Sequence, residues 1–334
     1  MSGEDIPYQL RPNKFIDRQI FIDLLCRLVP AMGSNRYVYI SMGGKHLVDH
    51  TAVYRHVGIT KLFSFDLNGA TVARQSVNKP IDSAVCQELS SGNLASAMDG
   101  ILAGFEGATN VVVWLDYTNP HDRLTQLQEL IEIAKRLQVG DIVRVTLNAN
   151  LGSLDGPKGS GSWKSDGFGT PQEYRSARLK DQLGELVPVD VVSVGDDDFP
   201  SVLSRCIGMA FSQVESERSD VSFMPVLNTT YRDGQRMVTV TCIVRPRKNS
   251  DGGLPNLNSW NLIPGDWGQV TAIAAPDLSI REKLRIDEHL SLDVGVIAGK
   301  LGFDLGSSPE RSLEVITSYK QLHRYYPSFH HVDT

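Results

Sequence analysis

Residues 36–66 read RYVYISMGGKHLVDHTAVYRHVGITKLFSFD, and the rest of the chain is organised around them. It has three parts. Residues 37–42 form a short, β-rich apolar run that ends in Gly43-Gly44. Residues 47–56 have the composition of a helix. Residues 62–65, LFSF, are a second apolar run, and it ends on an acid, Asp66. Strand, glycine turn, helix and carboxylate-tipped strand together predict the first half of a Rossmann-like nucleotide-binding unit. Gly43 and Gly44 carry no Cβ, so the backbone can turn sharply there and come close to a ligand. The Asp66 carboxylate can accept hydrogen bonds from both hydroxyls of a ribose.

Two cofactor classes use this plan: the dinucleotides and S-adenosyl-L-methionine. The glycines help to separate them. A dinucleotide site wants G-x-G-x-x-G, so that a pyrophosphate can sit on the helix N-terminus. Here the two glycines are adjacent, and the position of the third is Leu47. A pyrophosphate cradle is therefore poorly supported. S-adenosyl-L-methionine has no phosphate and tolerates a looser turn. Taken alone, the same pieces also fit a plain strand-to-helix turn with Asp66 as a helix cap.

The 334 residues suffice for one large α/β domain with an appendage, or for two domains. Charged residues make up 22% and the net charge is −6, which argues against a broad basic surface for nucleic acid. The four cysteines, Cys26, Cys86, Cys206 and Cys242, are widely spaced, so neither a zinc cluster nor a disulfide framework is expected. No apolar run reaches the ~18 residues of a membrane span. The opening MSGEDIPYQL has neither the basic region nor the apolar core of a signal peptide, which makes the cytoplasm the expected compartment.

Residues 1–13 read as a polar arm. In 14–32 the apolar residues Phe15, Ile16, Ile20, Phe21, Leu24, Leu25 and Leu28 recur at helical spacing, and Pro30 and Gly33 mark the end. After the opening unit, Arg74 and Gln75 lie in a segment closed by Lys79-Pro80, and a short strand is expected near 84–87. A helix over 94–105 follows. Residues 110–116, NVVVWLD, are the clearest buried strand, apolar on both faces and again ending on a carboxylate, Asp116. A helix over 121–137, capped by Gly140, leads to a strand at 141–147. Alternation of strand and helix over 37–148 predicts a doubly wound parallel sheet.

Residues 151–170, LGSLDGPKGSGSWKSDGFGT, are rich in glycine and serine and read as a long mobile loop. They are not a phosphate-binding loop, because Trp163 stands where a glycine must precede Lys164. Helices are expected over 172–186 and 199–214. Asp233-Gly234 between two β-rich runs, 221–231 and 236–244, is a hairpin signal. A parallel sheet closed by an antiparallel hairpin is how class I methyltransferases finish, whereas NAD-binding domains continue with a parallel strand. Residues 248–268 read as a loop, 269–274 as an edge strand, and the chain from 278 onward as helices.

The order of amphipathic helix, YVYISMGG, helix, GITKLFSFD, RQSVNKP and VVVWLDYT resembles a family of bacterial proteins described as "putative O-methyltransferases". The likeness covers about residues 14–148, with a weaker one in the closing YKQLHRYYPSF. It implies a class I S-adenosyl-L-methionine-dependent fold. The acidic-x-Gly-x-Gly usual after the first strand of that fold is absent here. By this resemblance Gly43 and Gly44 approach the methionine part of the cofactor, Asp66 holds the ribose, and Glu88 lies near the adenine. Asp116 stands where the methyl is presented. It can bind the cofactor's amino group, orient an acceptor hydroxyl or act as general base, or else cap the next helix.

Tyr117, His46 and Trp163 are the candidate substrate contacts, the last on a loop with Lys158 and Lys164. His46 and His50, four apart, are read as a partly exposed pair on one helix face rather than as metal ligands. Tyr319, Tyr325, Tyr326 and Phe329 are expected to pack. The expected organisation is a covering segment (1–35), a methyltransferase-like core (36–246) containing loop 151–170, and a loop with a C-terminal helical extension (247–334) through which the chain could self-associate. The expected function is O-methyl transfer to an acceptor the sequence does not identify. The alternative is a methyltransferase-like domain that binds a ligand or a partner protein without catalysis.

Overall fold

A computed structural model describes residues 11–157, 159, 161–247 and 254–326. The arm at 1–10, Lys158, residues 248–253 and Phe329 lie outside the described residues. The chain forms two compact units. The larger comprises Phe21–Thr230 and Gln235–Thr271, the smaller Met1–Ile20, Tyr231–Gly234 and Ala272–Thr334.

The chain opens with α1 (Pro12–Met32), in which Pro30 sits inside the last turn rather than after it. Then β1 (Tyr37–Ser41), α2 (Val48–Ala52), β2 (Lys61–Asp66), α3 (Gly69–Val77), β3 (Val85–Glu88), α4 (Ser91–Ala103), β4 (Asn110–Asp116), α5 (Arg123–Ala134) and β5 (Ile142–Asn148) alternate. These five strands run parallel to one another. α6 (Ser162–Ser165), α7 (Pro171–Leu183) and α8 (Phe199–Glu217) precede the hairpin of β6 (Val221–Asp233) and β7 (Gln235–Pro246), and β8 (Thr271–Ile273) is a short edge strand. β7 runs antiparallel to β5, and the order is β3-β2-β1-β4-β5-β7-β6-β8. This is the expected doubly wound sheet with a closing hairpin, the strand order of the class I methyltransferase fold. Gly234, at φ +101°, makes the hairpin turn without Cβ strain.

β1 and β5 are buried at every position, and β4 at every position but its last. A parallel sheet covered on both faces requires this. One face presents Val38, Ile40, Val111, Val113, Val143 and Val145 to a core shared with Leu94, Leu127, Leu130, Phe199, Leu203 and Phe211. The strand period of two puts Tyr39, Ser41, Ser64, Trp114, Arg144 and Thr241 on the other face, all buried. Phe21 meets Trp114 edge-on at 5.3 Å. The Arg144 guanidinium lies 4.5 Å from the Phe21 ring and 4.9 Å from that of Trp114, and donates to Thr241 Oγ1 at 2.7 Å. Two π-faces and a hydroxyl thus offset the desolvation of this buried cation.

Four expectations need correction. Residues 47–56 are not one regular helix. α2 widens into a π-turn at Val53–Val57, which ends at Gly58 in the left-handed region. Gly140 does not cap α5, which stops at Ala134. Gly140 lies at the entry to β5 and donates its N–H to Val244 O. Residues 151–170 are not without structure. A 3-10 turn (Leu151–Leu154) and α6 lie within them, and Asp155 is paired with Arg175 at 2.9 Å. His50 is buried rather than partly exposed.

In the smaller unit, α9 (Ile280–Asp287), α10 (Val294–Leu301) and α11 (Pro309–Leu322) bury Ile286, Ile297, Leu301, Ile316 and Tyr319 together. The Tyr319 hydroxyl donates to Asp287 at 2.7 Å. Ser279 and Glu282 form a capping box that starts α9. Among the described residues no helix is long and apolar enough to cross a membrane.

Candidate functional site

Register brings four of the expected residues to one level of the sheet. Ser41 pairs with Ser64 on one side and with Trp114 on the other. Two residues further along these strands come Gly43, Asp66 and Asp116. Asp66 pairs with Glu88, and Asp116 with Thr146. Adjacent strands lie ~4.8 Å apart. Glu88, Asp66, Gly43 and Asp116 therefore follow one another along the carboxyl edge. The sheet reverses direction of winding between β1 and β4, so this edge is the topological switch point where such folds hold ligands.

The glycine turn is built from below. Gly43 and Gly44 have φ of +64° and +54°, and Leu47, buried, has φ +49°. A Cβ on Gly43 would fall 2.6 Å from Ser64 Oγ, 2.7 Å from Leu47 Cδ2 and 2.8 Å from His50 Cε1. Only glycine fits. α3 clamps the turn from its side: Gln75 Nε2 donates to Met42 O at 3.0 Å and Asn78 Nδ2 to Lys45 O at 2.8 Å. Beneath it, Asp49 accepts the hydroxyls of Tyr39 and Ser41.

Asp66 is not the cap of α3. That part is taken by Asn68, whose Oδ1 accepts the N–H groups of Ala70 and Thr71, while Asp66 Oδ1 takes only the Asn68 N–H at 2.8 Å. Among the described residues its second oxygen has no hydrogen-bond partner. Glu88 is exposed and leans over the start of α3, so that a Cβ on Gly69 would meet its Oε2 at 2.7 Å. Asp116 is not a helix cap either, since the N-cap of α5 is Asp122.

The loop after β4 is held in place. Asn148 Nδ2 donates to Thr118 O at 2.8 Å, Gln126 Nε2 to Asn119 O at 2.8 Å, and Gln182 Nε2 to Pro120 O at 2.9 Å. Arg123, fully buried, donates twice to Asn148 O, at 2.9 and 2.7 Å. Burial brings its guanidinium down to about 10.

The remaining expected residues are not in this row. Tyr117 is buried, its hydroxyl donates to Glu129 at 2.7 Å, and burial beside that carboxylate raises its phenol well above the ordinary value. It packs against the hydrophobic core. His46 is exposed on the turn before α2, while His50 faces inward, so the two do not share a helix face. Trp163 is half-buried on α6, with Lys164 Nζ 5.2 Å from its ring. Asp49, Gln75 and Asn78, which hold the turn, belong to no sequence motif. One signal was present: Tyr37, Tyr39 and Ser41 place hydroxyls at alternate positions of β1, a pattern that marks a polar strip on one face. Among the described residues no group of three or more His, Cys, Asp or Glu is placed to hold a metal ion.

The row suits one cofactor class better than the other. Three carboxylates along the edge would repel a pyrophosphate and attract a cation bearing hydroxyls. The Ser64 hydroxyl and Gln75 Oε1, both buried beside the turn, have no hydrogen-bond partner among the described residues. The glycine turn and these polar groups fit S-adenosyl-L-methionine.

A protein-family profile described as "Putative O-methyltransferase" matches residues 6–334. No curated protein is similar enough in sequence to count as a match. Among solved structures, a SAM-dependent methyltransferase from Anabaena variabilis ATCC 29413 is 8% identical with a TM-score of 0.36, over 70% of this chain and 87% of that one. A DUF574-family protein from Streptomyces avermitilis MA-4680 is 10% identical with a TM-score of 0.36, over 71% and 83%. The plantazolicin methyltransferase BamL, in complex with a triazolic desmethylPZN analog and SAH, is 11% identical with a TM-score of 0.37, over 71% and 88%. These scores are low, and the strand order is what identifies the fold.

Proposed function

The chain belongs to this O-methyltransferase family, and on that premise we propose that its carboxyl-edge site holds S-adenosyl-L-methionine for methyl transfer to a hydroxyl or carboxyl acceptor. The observation that carries the reading is the register row Glu88, Asp66, Gly43, Asp116. When bound, the cofactor supplies an electrophilic methyl on a sulfonium. Asp66 accepts the ribose hydroxyls with the oxygen that Asn68 leaves free. Glu88, its neighbour, faces the adenine end. Gly43 and Gly44 let the backbone approach the methionine end, and His46 stands on the same turn.

Asp116 orients the acceptor or takes its proton. Methyl transfer depends chiefly on alignment of donor and acceptor, with at most one base. The fixed loop after β4 supplies that alignment, held by Asn148, Gln126 and Gln182. Trp163 closes over the acceptor as an apolar anchor. The same reading has the protein act in the cytoplasm on an acceptor other than nucleic acid. It also has the chain self-associate through α9–α11, where Ile280, Leu284, Val296 and Phe303 are exposed.

Calorimetric titration with S-adenosyl-L-methionine and S-adenosylhomocysteine tests the site, with Asp66→Ala alongside. Binding by the wild type that is lost in the variant supports the assignment. No binding of either compound to folded wild-type protein would sink it.

A further inference from the structure

The turn at 42–47, MGGKHL, contains no acidic residue, yet a carboxylate lies beneath it. Asp49 comes from α2 and is only 6% exposed. Its Oδ2 accepts the Tyr39 and Ser41 hydroxyls, each at 2.7 Å. Ser41 Oγ in turn accepts the Gly43 N–H at 3.1 Å. His50 backs the other oxygen, with Nδ1 3.4 Å from Asp49 Oδ1 and Nε2 3.1 Å from Phe63 O. A hydroxyl has one proton. Ser41 donates its O–H hydrogen bond to Asp49, which turns the oxygen lone pairs toward the Gly43 amide. The carboxylate thus sets the direction of a buried dipole, and that dipole holds one peptide plane of the turn. In a dry interior such a chain of hydrogen bonds is stronger than its separate members.

Resting on the cofactor reading above, we propose that Asp49 is a positioning residue. Acting through Ser41, it fixes the Gly43 amide, and with it the face of the turn that receives the amino-acid end of S-adenosyl-L-methionine. Asp49 itself does not touch the cofactor. Its influence reaches the methionine end of the site and not the ribose end, which belongs to Asp66 on the neighbouring strand. Tyr39 is the internal control: its hydroxyl also donates to Asp49, whereas the Gly43 N–H donates to Ser41 Oγ.

The prediction is a change in ligand selectivity, which a general loss of stability would not produce. S-adenosylhomocysteine and 5′-methylthioadenosine share the adenosine and differ in the amino-acid part. Their affinities are measured by calorimetry and by displacement for the wild type, Asp49→Asn, Ser41→Ala and Tyr39→Phe. Asp49→Asn and Ser41→Ala are expected to weaken S-adenosylhomocysteine about tenfold and 5′-methylthioadenosine by no more than about twofold. Tyr39→Phe should leave the ratio of the two unchanged. Should Asp49→Asn fail to fold, Ser41→Ala carries the test. Equal loss for both ligands, or no loss for either, in folded Ser41→Ala overturns the role of Asp49 while the cofactor reading stands. Wild-type protein that binds neither ligand overturns the cofactor reading and this proposal with it.

Discussion

Asp66 and Glu88 are register partners at the carboxyl ends of β2 and β3, and the Leu89 N–H donates to Asp66 O at 3.1 Å to hold them side by side. The pair differs in its surroundings. Asp66 is half-buried and keeps one oxygen fixed on Asn68, whereas Glu88 is exposed. Asp66→Asn should therefore weaken S-adenosylhomocysteine by about 10- to 100-fold, the cost of losing a charge-assisted hydrogen bond in a partly dry site. Glu88→Gln should cost no more than about fivefold, because water competes for an exposed partner. Calorimetry on both variants checks the ranking, and a larger loss for Glu88→Gln would reverse the assignment.

Gly43 and Gly58 both have φ in the left-handed region, at +64° and +78°. Their surroundings differ: a Cβ on Gly58 meets nothing within 4 Å, and one on Gly43 meets three atoms under 3 Å away. Gly58→Ala should cost about 1–2 kcal/mol from backbone strain alone. Gly43→Ala should cost about 1–3 kcal/mol more, from overpacking against Ser64, Leu47 and His50. Urea denaturation of the two variants measures the difference.

Arg123 holds three segments at once. Besides Asn148 O it donates to Ser153 Oγ at 2.9 Å and to Gln182 Oε1 at 3.2 Å, and it lies 5.2 Å from the Phe199 ring. Arg123→Met keeps the length and the apolar contact but leaves buried acceptors without donors. A loss of about 2–4 kcal/mol is expected. Turnover should fall with it, since Asn148 also anchors the loop after Asp116. Denaturation midpoints and methyl-transfer rates check the two effects separately.

Asp141 receives N–H bonds from Gln138, Val111 and Asn110 at 2.7 to 2.9 Å, and burial still raises its carboxyl to about 6. Between pH 4 and 6 the folded protein then binds the proton that the unfolded chain has released. The Asp141 contribution to stability is full below about pH 4 and is lost as pH rises through about 6, a fall of roughly 2–3 kcal/mol. Asp141→Asn should remove that slope. Stability measured at several pH values in this range tests it, and an unchanged slope in the variant would rule out Asp141 as its source.

The alternation of strands and helices was legible because buried parallel strands are apolar on both faces, as in NVVVWL, and turns carry their own chemistry, as at Asp233-Gly234. The carboxylates ending β2 and β4 were legible for the same reason: an acid that closes an apolar run has few places to go but the rim of a sheet. Nothing local to Tyr117 in the sequence shows which way its side chain turns. That side chain points to the face that α5 covers, where Glu129 waits for its hydroxyl. The glycines of residues 151–170 show a loop, and its anchoring through Asp155 and Arg175 depends on residues 20 apart.

The sheet, its winding, its antiparallel end and the acids on its rim follow from local periodicity and from which residues close each strand. Tertiary structure alone decided what stands behind the rim. Asp49, Ser41 and His50 meet because β1 and α2 fold back on one another. Gln75 and Asn78 reach the turn from a helix that starts more than twenty residues later. A buried polar group must find partners wherever the packed chain provides them, and no periodicity in the sequence encodes that choice.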